Sequence, residues 1–274
     1  ASGTATDPET GSTVINFPPD WNTNPDLKWE STKEVNLGLD FGFINNRISG
    51  SLELYQKTTS DLLGQFTVPV PPNVARITWC NSGSMENKGI ELLVQIFAVD
   101  NANFKWKTNL NAAHNKQTMI DLGGLATEGL RQEGYLSGRG LTSSWVIGIL
   151  EEESLGSFYL PVYAGIVGGK MSYKSKTGGY TDIIADAKRE IVGSALPDLE
   201  LGWSNYLTFF RNWNLDFTFR AMLGNEIYNA TRMLFDYPGD FPSINKLPEA
   251  LDWYNQGRKN GAQESSYYLE EASF

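Results

Sequence analysis

The sequence predicts an all-β fold, a segment of an antiparallel transmembrane β-barrel, from three observations. Apolar and polar residues alternate along segments of about 9–11 residues, the length that crosses a bilayer core when a strand is tilted. The connections between these segments are alternately tight and long. Aromatic residues gather toward the tight connections, where the boundary between hydrocarbon and water is expected to lie.

The clearest predicted element is a long hairpin in the first quarter of the chain. Every odd position in Val35–Phe43 is apolar, and every even position is polar or glycine. After Asn45–Asn46 the apolar residues resume on even positions, as in Ile48–Leu54. A period of two places one set of side chains on each face of a sheet, and Asn tolerates the positive φ angles of a tight hairpin turn. We therefore expect Leu39 to face lipid and Asp40 to face the lumen.

The same alternation recurs along the chain. We predict further strands at 88–98, 104–114, 199–209 and 213–221, with weaker strands at 157–166 and 170–174. Tight turns are expected at 44–46, 99–103, 167–169 and 211–212, and long loops at 59–87, 115–156, 175–197 and 224–266. Short turns on one rim and long loops on the other are typical of outer-membrane barrels, whose short turns are periplasmic and whose long loops are extracellular.

The composition argues against several classes of function. The 274 residues include 22 Lys+Arg and 32 Asp+Glu, a net charge of −10, which does not suit a nucleic-acid partner. The sequence contains no run of 18 or more apolar residues, so it predicts no membrane-spanning helix. Cys80 is the only cysteine and His114 the only histidine, which removes most Ser-His, Cys-His and multi-histidine metal chemistry. We therefore predict no enzymatic activity, no cofactor and no metal site.

One alternative architecture accounts for the same alternation. In a large soluble antiparallel sandwich the apolar face would be a core, and the protein would be a surface adhesin or binding module. Soluble strands average about 5–6 residues, shorter than the segments here. The strand length and the charged residues on the opposite face favour the barrel.

Several runs of the sequence carry a more specific signal. The runs NPDLKWESTKEVNLGLDFGFINNRISGSLELYQKTTSDLL, VPVPP and NSGSMENKGIEL resemble the SusC/RagA family of TonB-linked outer-membrane transporters. The likeness continues in SLGSFYLPVYAGI, IVGSALPDLELGWSNYLTF and SSYYLEEASF. Together these runs cover most of the chain, and they occur in the order of the family.

The resemblance implies a fold, a location and partners. It identifies residues 1–274 as part of a single barrel domain, about eight or nine strands of a 22-stranded barrel, with the plug domain and the final strands expected to be absent from this chain. It implies import of glycans or peptides across the bacterial outer membrane, and contact with outer-membrane lipid. The implied protein partners are a SusD-like lipoprotein lid and TonB, the latter reached through an N-terminal part of the transporter.

The candidate contact residues lie in the long loops. Sugars and peptides bind to aromatic side chains by stacking and hydrogen bonding, and these loops contain Trp21, Phe66, Trp79, Tyr135, Trp145, Tyr237 and Trp253. Some of these rings are equally expected to pack the lid or to stiffen their own loops. As candidates for contact with substrate or lid we select Trp79, Asn81, Tyr135 and Trp145.

Three polar features have simpler interpretations. The consecutive acids Glu151–Glu153 point in different directions, as in a solvated loop rather than a cation site. Asp40 and Glu53 fit lumen-facing acids of a wet barrel better than a catalytic carboxylate pair. His114 closes a predicted strand near the long-loop rim, which favours a structural role over that of a ligand or base.

Overall fold

The computed structural model describes residues 3–6, 13–16, 20–125, 129–137, 144–236, 245–257, 261 and 263–274. In chain order the strands are β1 (Gly3–Thr6), β2 (Thr13–Asn16), β3 (Ser31–Phe43), β4 (Ile48–Ser60), β5 (Leu63–Thr67), β6 (Ile77–Asn81), β7 (Ser84–Asp100), β8 (Phe104–Asp121), β9 (Leu130–Leu136), β10 (Ser144–Leu150), β11 (Ser157–Pro161), β12 (Tyr163–Val167), β13 (Lys170–Lys174), β14 (Tyr180–Thr181), β15 (Arg189–Ser194), β16 (Leu199–Phe209), β17 (Trp213–Leu223), β18 (Glu226–Tyr228) and β19 (Leu269–Glu271). The helices are α1 (Ala230–Phe235) and α2 (Pro248–Asn255), with 3₁₀ segments at Gly123–Leu125, Ile184–Asp186 and Ser266–Tyr268. In these ranges no helix has both the length and the apolar character needed to cross a membrane.

The largest element is a six-stranded antiparallel sheet, which we call the wall. Its strand order is β17-β16-β8-β7-β4-β3. Leu54 on β4 lies between Leu37 on β3 and Ile90 on β7, so the apolar positions of neighbouring strands form continuous rows. The predicted alternation is therefore confirmed as the register of the sheet. The fold class predicted from the sequence, an all-β antiparallel sheet, is also confirmed.

Tight turns join the wall strands at one end. Asn45 and Asn46 have φ angles of 54° and 61°, and the Arg47 amide donates to the Ile44 carbonyl at 3.1 Å, the geometry of the predicted hairpin turn. Between β16 and β17 the positive φ angles belong to Phe210 and Arg211, so this turn is centred one residue earlier than expected. We call this end of the wall the short-turn rim and the opposite end the long-loop rim.

The two faces of the wall differ in chemistry. One face carries the apolar rows, and we call it the outward face; among the described residues no second layer covers it, so Val35 is 74%, Leu39 61% and Phe219 59% exposed. The other face, the inward face, carries Asn, Ser, Thr, Lys and acidic side chains, some of them hydrogen-bonded across strands, such as Ser204 to Thr218. A single layer with one exposed apolar face is stable where lipid covers that face.

The wall has six strands in the described ranges, fewer than the eight or nine expected. The predicted strands at 157–166 and 170–174 do form, but they belong to two smaller sheets, β15-β11-β10-β9 and β12-β13-β14. They lie within the connection between β8 and β16, which pair directly in the wall. The wall also does not close, because β3 and β17 are its two edges.

The buried core lies outside the wall, in the described parts of residues 122–198 and 224–274, which we call the loop cap. Its larger cluster contains Met171, Tyr173, Ala187, Met233 and Tyr268. Its smaller cluster contains Val146, Phe158 and Leu160. The loop cap is thus a packed body with its own core, held at the long-loop rim.

Candidate functional site

The four candidate residues lie on two hairpins at the long-loop rim. Trp79 and Asn81 are on β6, which pairs with β5 in the connection between β4 and β7. Tyr135 and Trp145 are on β9 and β10 in the loop cap. The structure therefore brings Tyr135 and Trp145 together as one pair and places Trp79 and Asn81 together on a different hairpin.

Tyr135 and Trp145 form an aromatic platform. They are directly opposed in the β9–β10 register, and their ring centroids are 4.9 Å apart at an interplanar angle of 59°. Their neighbours Leu136 and Val146 turn to the other face of the hairpin and belong to the smaller core cluster. Because successive strand residues point to opposite faces, the two rings lie on the face opposite Leu136 and Val146; Tyr135 is 51% exposed and Trp145 is half-buried.

Charges near the platform are neutralised by ion pairs. Arg131 bonds to Glu133 at 2.8 Å on β9. Glu264 accepts hydrogen bonds from Ser144 at 3.1 Å and from Arg189 at 2.5 Å, which ties the start of β10 to the last described segment of the chain. As far as the described residues go, the platform therefore offers a ligand ring surface rather than a net charge.

Trp79 is half-buried and its backbone is held by a neighbouring segment. It opposes Gln65 in the β5–β6 hairpin. The Asn24 side-chain amide donates to the Trp79 carbonyl at 2.9 Å. The Trp79 ring is thus presented from a hairpin whose backbone is fixed on both sides.

The Asn81 side chain is fully engaged within the protein. Its Oδ1 accepts from the Lys28 amide at 2.8 Å, and its Nδ2 donates to the carbonyls of Lys28 at 2.7 Å and Asp61 at 2.9 Å. One side chain therefore joins three stretches of chain at the base of the hairpin. Asn81 positions the hairpin that carries Trp79.

Sequence reasoning missed a second positioning residue, Asn22. Its Nδ2 donates to the Ala75 carbonyl at 2.7 Å and its Oδ1 accepts from the Ala75 amide at 2.8 Å, as a neighbouring strand would. The Asn22 amide also donates to the Ile77 carbonyl at 2.7 Å. The sequence feature that could have revealed Asn22 is the asparagine-rich run before β3, because Asn side chains readily form hydrogen bonds with backbone groups.

Of the other four loop aromatics, two pack against neighbouring residues, one is exposed and one lies outside the described residues. Trp253 packs against Tyr267, with ring centroids 5.6 Å apart. Phe66 covers Gly124, where a Cβ would lie 2.4 Å from the Phe66 ring. Trp21 is 55% exposed. Tyr237 lies outside the described residues.

The remaining polar features do not assemble a reactive centre. Glu151 accepts from the Leu122 amide at 3.0 Å, a loop contact. Asp40 opposes Ser51 and Glu53 opposes Gly38, so the two acids sit on the inward face without facing each other. The His114 Nδ1 atom contacts the Asp198 carbonyl. In the part of the chain that the structure describes, no three His, Cys, Asp or Glu residues converge as a metal site.

Comparisons with known proteins match this architecture to a family of β-barrel receptors. The family described as TonB dependent receptor-like, beta-barrel matches residues 3–220. TonB-dependent receptor P3 of Formosa agariphila is 32% identical over 226 residues, covering 76% of this chain and 22% of that protein. TonB-dependent receptor SusC of Bacteroides thetaiotaomicron is 29% identical over 213 residues, covering 75% of this chain and 20% of that protein. The chain thus spans about a fifth of the length of these relatives.

Solved structures show the same fold. The RagAB peptide transporter matches with a TM-score of 0.76 at 23% identity, covering 100% of this chain and 30% of the matched chain. The RagAB peptide importer in the 'open-open' state matches with a TM-score of 0.79 at 24% identity, with the same coverage. This likeness concerns the path of the backbone, including the wall and the loop cap together.

Proposed function

This chain belongs to the TonB-dependent receptor-like β-barrel family, and on that premise we propose that it forms part of the barrel of an importer of oligosaccharides or peptides. In this proposal the outward face contacts lipid and the inward face lines the lumen. The loop cap and the β5–β6 hairpin form the extracellular side, where substrate arrives. Residues 1–274 are one part of a single barrel domain whose remaining strands and plug complete the transporter.

Family membership confirms the SusC/RagA-type resemblance and the bacterial outer membrane as the location. The family is one of receptors and transporters rather than an enzyme class. The alternative of a soluble β-sandwich adhesin is wrong, because the apolar face that would be its core is exposed in the described residues and the chain matches a membrane barrel.

The observation that carries the proposal is the aromatic platform of Tyr135 and Trp145. Two rings held in contact by the strand register, one of them half exposed, form a surface on which a sugar ring or a peptide side chain stacks. Rings that the strand register already holds together lower the ordering entropy that binding costs. Trp79, presented by the hairpin that Asn81 positions, adds a second contact for the substrate or for a lid.

A lipoprotein lid of the SusD type fits the same rim. The RagAB peptide importer has been solved in a 'closed-closed' and in an 'open-open' state, two states of that protein. In our proposal the loop cap of this chain offers the docking surface for such a lid, and TonB engages the transporter through its N-terminal part. Both glycans and peptides present groups that stack on aromatic rings. Binding and uptake measurements with each class of ligand therefore distinguish the two.

The test is Trp145→Ala in the complete transporter, with uptake and equilibrium binding measured for oligosaccharides and for peptides. One stacking contact is worth about 0.5–1.5 kcal/mol, so we expect affinity for the substrate class to fall several-fold while barrel assembly is unchanged. Trp145→Phe, which keeps a ring, should recover most of the affinity. Trp213→Ala is the matched control, because Trp213 is 73% exposed and begins β17 at the short-turn rim, the end of the wall opposite the platform. Equal affinity in Trp145→Ala and the parent protein for every ligand tested would remove the platform from the binding site.

A further inference from the structure

A groove interrupts the outward face near the long-loop rim. It has a volume of ≈ 680 Å³ and crosses β3, β4, β7 and β8. Its apolar side is lined by Leu37, Leu54 and Ile90, which form one row in the sheet register. Each of these side chains is exposed. The groove is therefore apolar, shallow and open to whatever surrounds the wall.

Two lysines border the groove in the next row toward the long-loop rim. Lys88 on β7 and Lys116 on β8 are directly opposed in register and line the same groove. Like charges that face each other across two strands destabilise a sheet. Glu86 forms an ion pair with Lys88 at 2.6 Å. Among the described residues, Lys116 has no carboxylate within ion-pair distance.

The charge of this region is positive on the outward face. Lys33 on β3 lies one row further out, opposite Thr58, and Glu86 is the acid of that same row. The pair of Lys57 and Glu34 lies on the inward face and does not neutralise the outward lysines. Three lysines and one glutamate thus surround the upper end of an apolar groove.

The height of the lysines matches the edge of a membrane. Phe43 at the short-turn rim and Val35, which is in the same row as Lys88, are eight residues apart on β3. At about 3.4 Å per residue the distance along the strand is about 27 Å. Because the strands of such barrels tilt by about 35–45°, this length spans about 19–22 Å of an outward apolar band that is about 25 Å tall. The side chains of Lys88 and Lys116 are long enough to reach the lipid headgroups on the extracellular side from this height.

We propose that this groove binds one phosphorylated lipid of the outer leaflet. An acyl chain lies along Leu37, Leu54 and Ile90, and a phosphate of the headgroup lies between Lys88 and Lys116. The anion removes the repulsion between the opposed lysines, and the lipid chain covers the apolar floor. The occupant is a lipid rather than a free phosphate, because the two lysines border an apolar surface that only an acyl chain complements. The proposal relies on the membrane orientation of the wall and not on the substrate.

The experiment uses the complete transporter in nanodiscs of phosphatidylcholine, with and without lipid A as the phosphorylated probe. Native mass spectrometry of the released protein counts retained lipids. The variant Lys88→Gln/Lys116→Gln removes both charges. A lysine near an anionic membrane surface contributes about 1 kcal/mol, about fivefold in affinity, so the double variant should retain lipid A roughly 25-fold more weakly.

Two further variants make the result specific. Lys57→Gln/Lys107→Gln makes the same charge change on the inward face and should keep lipid A. Leu54→Trp fills the apolar side without a change in charge and should also weaken retention. Equal retention in the parent and in Lys88→Gln/Lys116→Gln, an equal loss in the inward-face control, or retention of phosphatidylcholine in preference to lipid A would each overturn the proposal. Substrate uptake is measured separately, so failure of the lipid site is distinct from failure of the proposed transport function.

Discussion

Two polar residues on the outward face are hidden beneath tryptophan rings. Thr108 on β8 and Asn205 on β16 are opposed in register and are 6% and 1% exposed. The Trp106 indole donates to Asn205 Oδ1 at 3.0 Å, and the Trp203 indole donates to Thr108 Oγ1 at 2.8 Å. Hydrocarbon offers no water to satisfy these groups, so the tryptophans must do so.

The change Trp106→Phe removes one donor and keeps an aromatic ring. The Asn205 Oδ1 atom is then left buried without its partner, which costs about 1–3 kcal/mol. In the double variant Trp106→Phe/Asn205→Leu neither polar group remains, and replacing both partners with apolar groups is nearly neutral. The Asn205 Nδ2 atom has no hydrogen-bond partner among the described residues. Replacing Asn205 with leucine therefore also removes a buried donor that is not satisfied. We therefore expect the double variant to be more stable than Trp106→Phe alone.

The assay is urea unfolding of the complete barrel, followed by the loss of heat-modifiable migration on gels. This readout does not depend on tryptophan fluorescence, which the substitutions alter. Asn205→Leu alone completes the double-mutant cycle. The reasoning is refuted if Trp106→Phe unfolds at the same urea concentration as the parent. It is equally refuted if the double variant loses as much stability as the two single changes together.

Three further predictions follow from the wall and the hairpin. Leu39→Asp should impair insertion, because the charge enters lipid, whereas Asp40→Leu should be mild; equal defects in a membrane-insertion assay would reverse the assigned faces. Gly50→Ala should reduce the yield of folded barrel, because its Cβ would lie 2.0 Å from the Leu93 carbonyl oxygen, while Gly38→Ala, with no atom nearer than 3.9 Å, should fold normally. Asn81→Ala should increase proteolysis within the β5–β6 hairpin and leave the wall intact, and unchanged protease sensitivity would contradict the positioning role.

The wall could be predicted from the sequence because its strand faces and tight turns depend on residues close together in the chain. Alternation in Val35–Phe43 determines the faces, and Asn45–Asn46 permits the turn. The turn centred on Phe210 and Arg211 was displaced by one residue because neither residue type signals a positive φ. Among the described residues, the predicted strands at 157–166 and 170–174 belong to the loop cap rather than to the wall, because alternation alone cannot tell the two apart.

The candidate site was only partly accessible to the same reasoning. Tyr135 and Trp145 were each selected as loop aromatics, but their pairing depends on the register of β9 and β10, which the alternation within either strand does not determine. The bonds of Asn81 join residues up to 53 positions apart, a separation that no local pattern encodes. The sequence also did not predict the lysine pair of the outward groove, because Lys88 and Lys116 become neighbours only when β7 pairs with β8.

Site-directed labelling of neighbouring residues tests the central claim that the wall separates lipid from lumen. Cys80 is the only cysteine of residues 1–274. Cys80→Ser, with any cysteine elsewhere in the complete barrel also replaced by serine, gives a background for Leu39→Cys and Asp40→Cys. A spin label at position 39 should relax faster with oxygen, which dissolves in lipid, and one at position 40 with a water-soluble nickel complex. The same preference at both positions would contradict the assignment of one face to lipid and the other to the lumen.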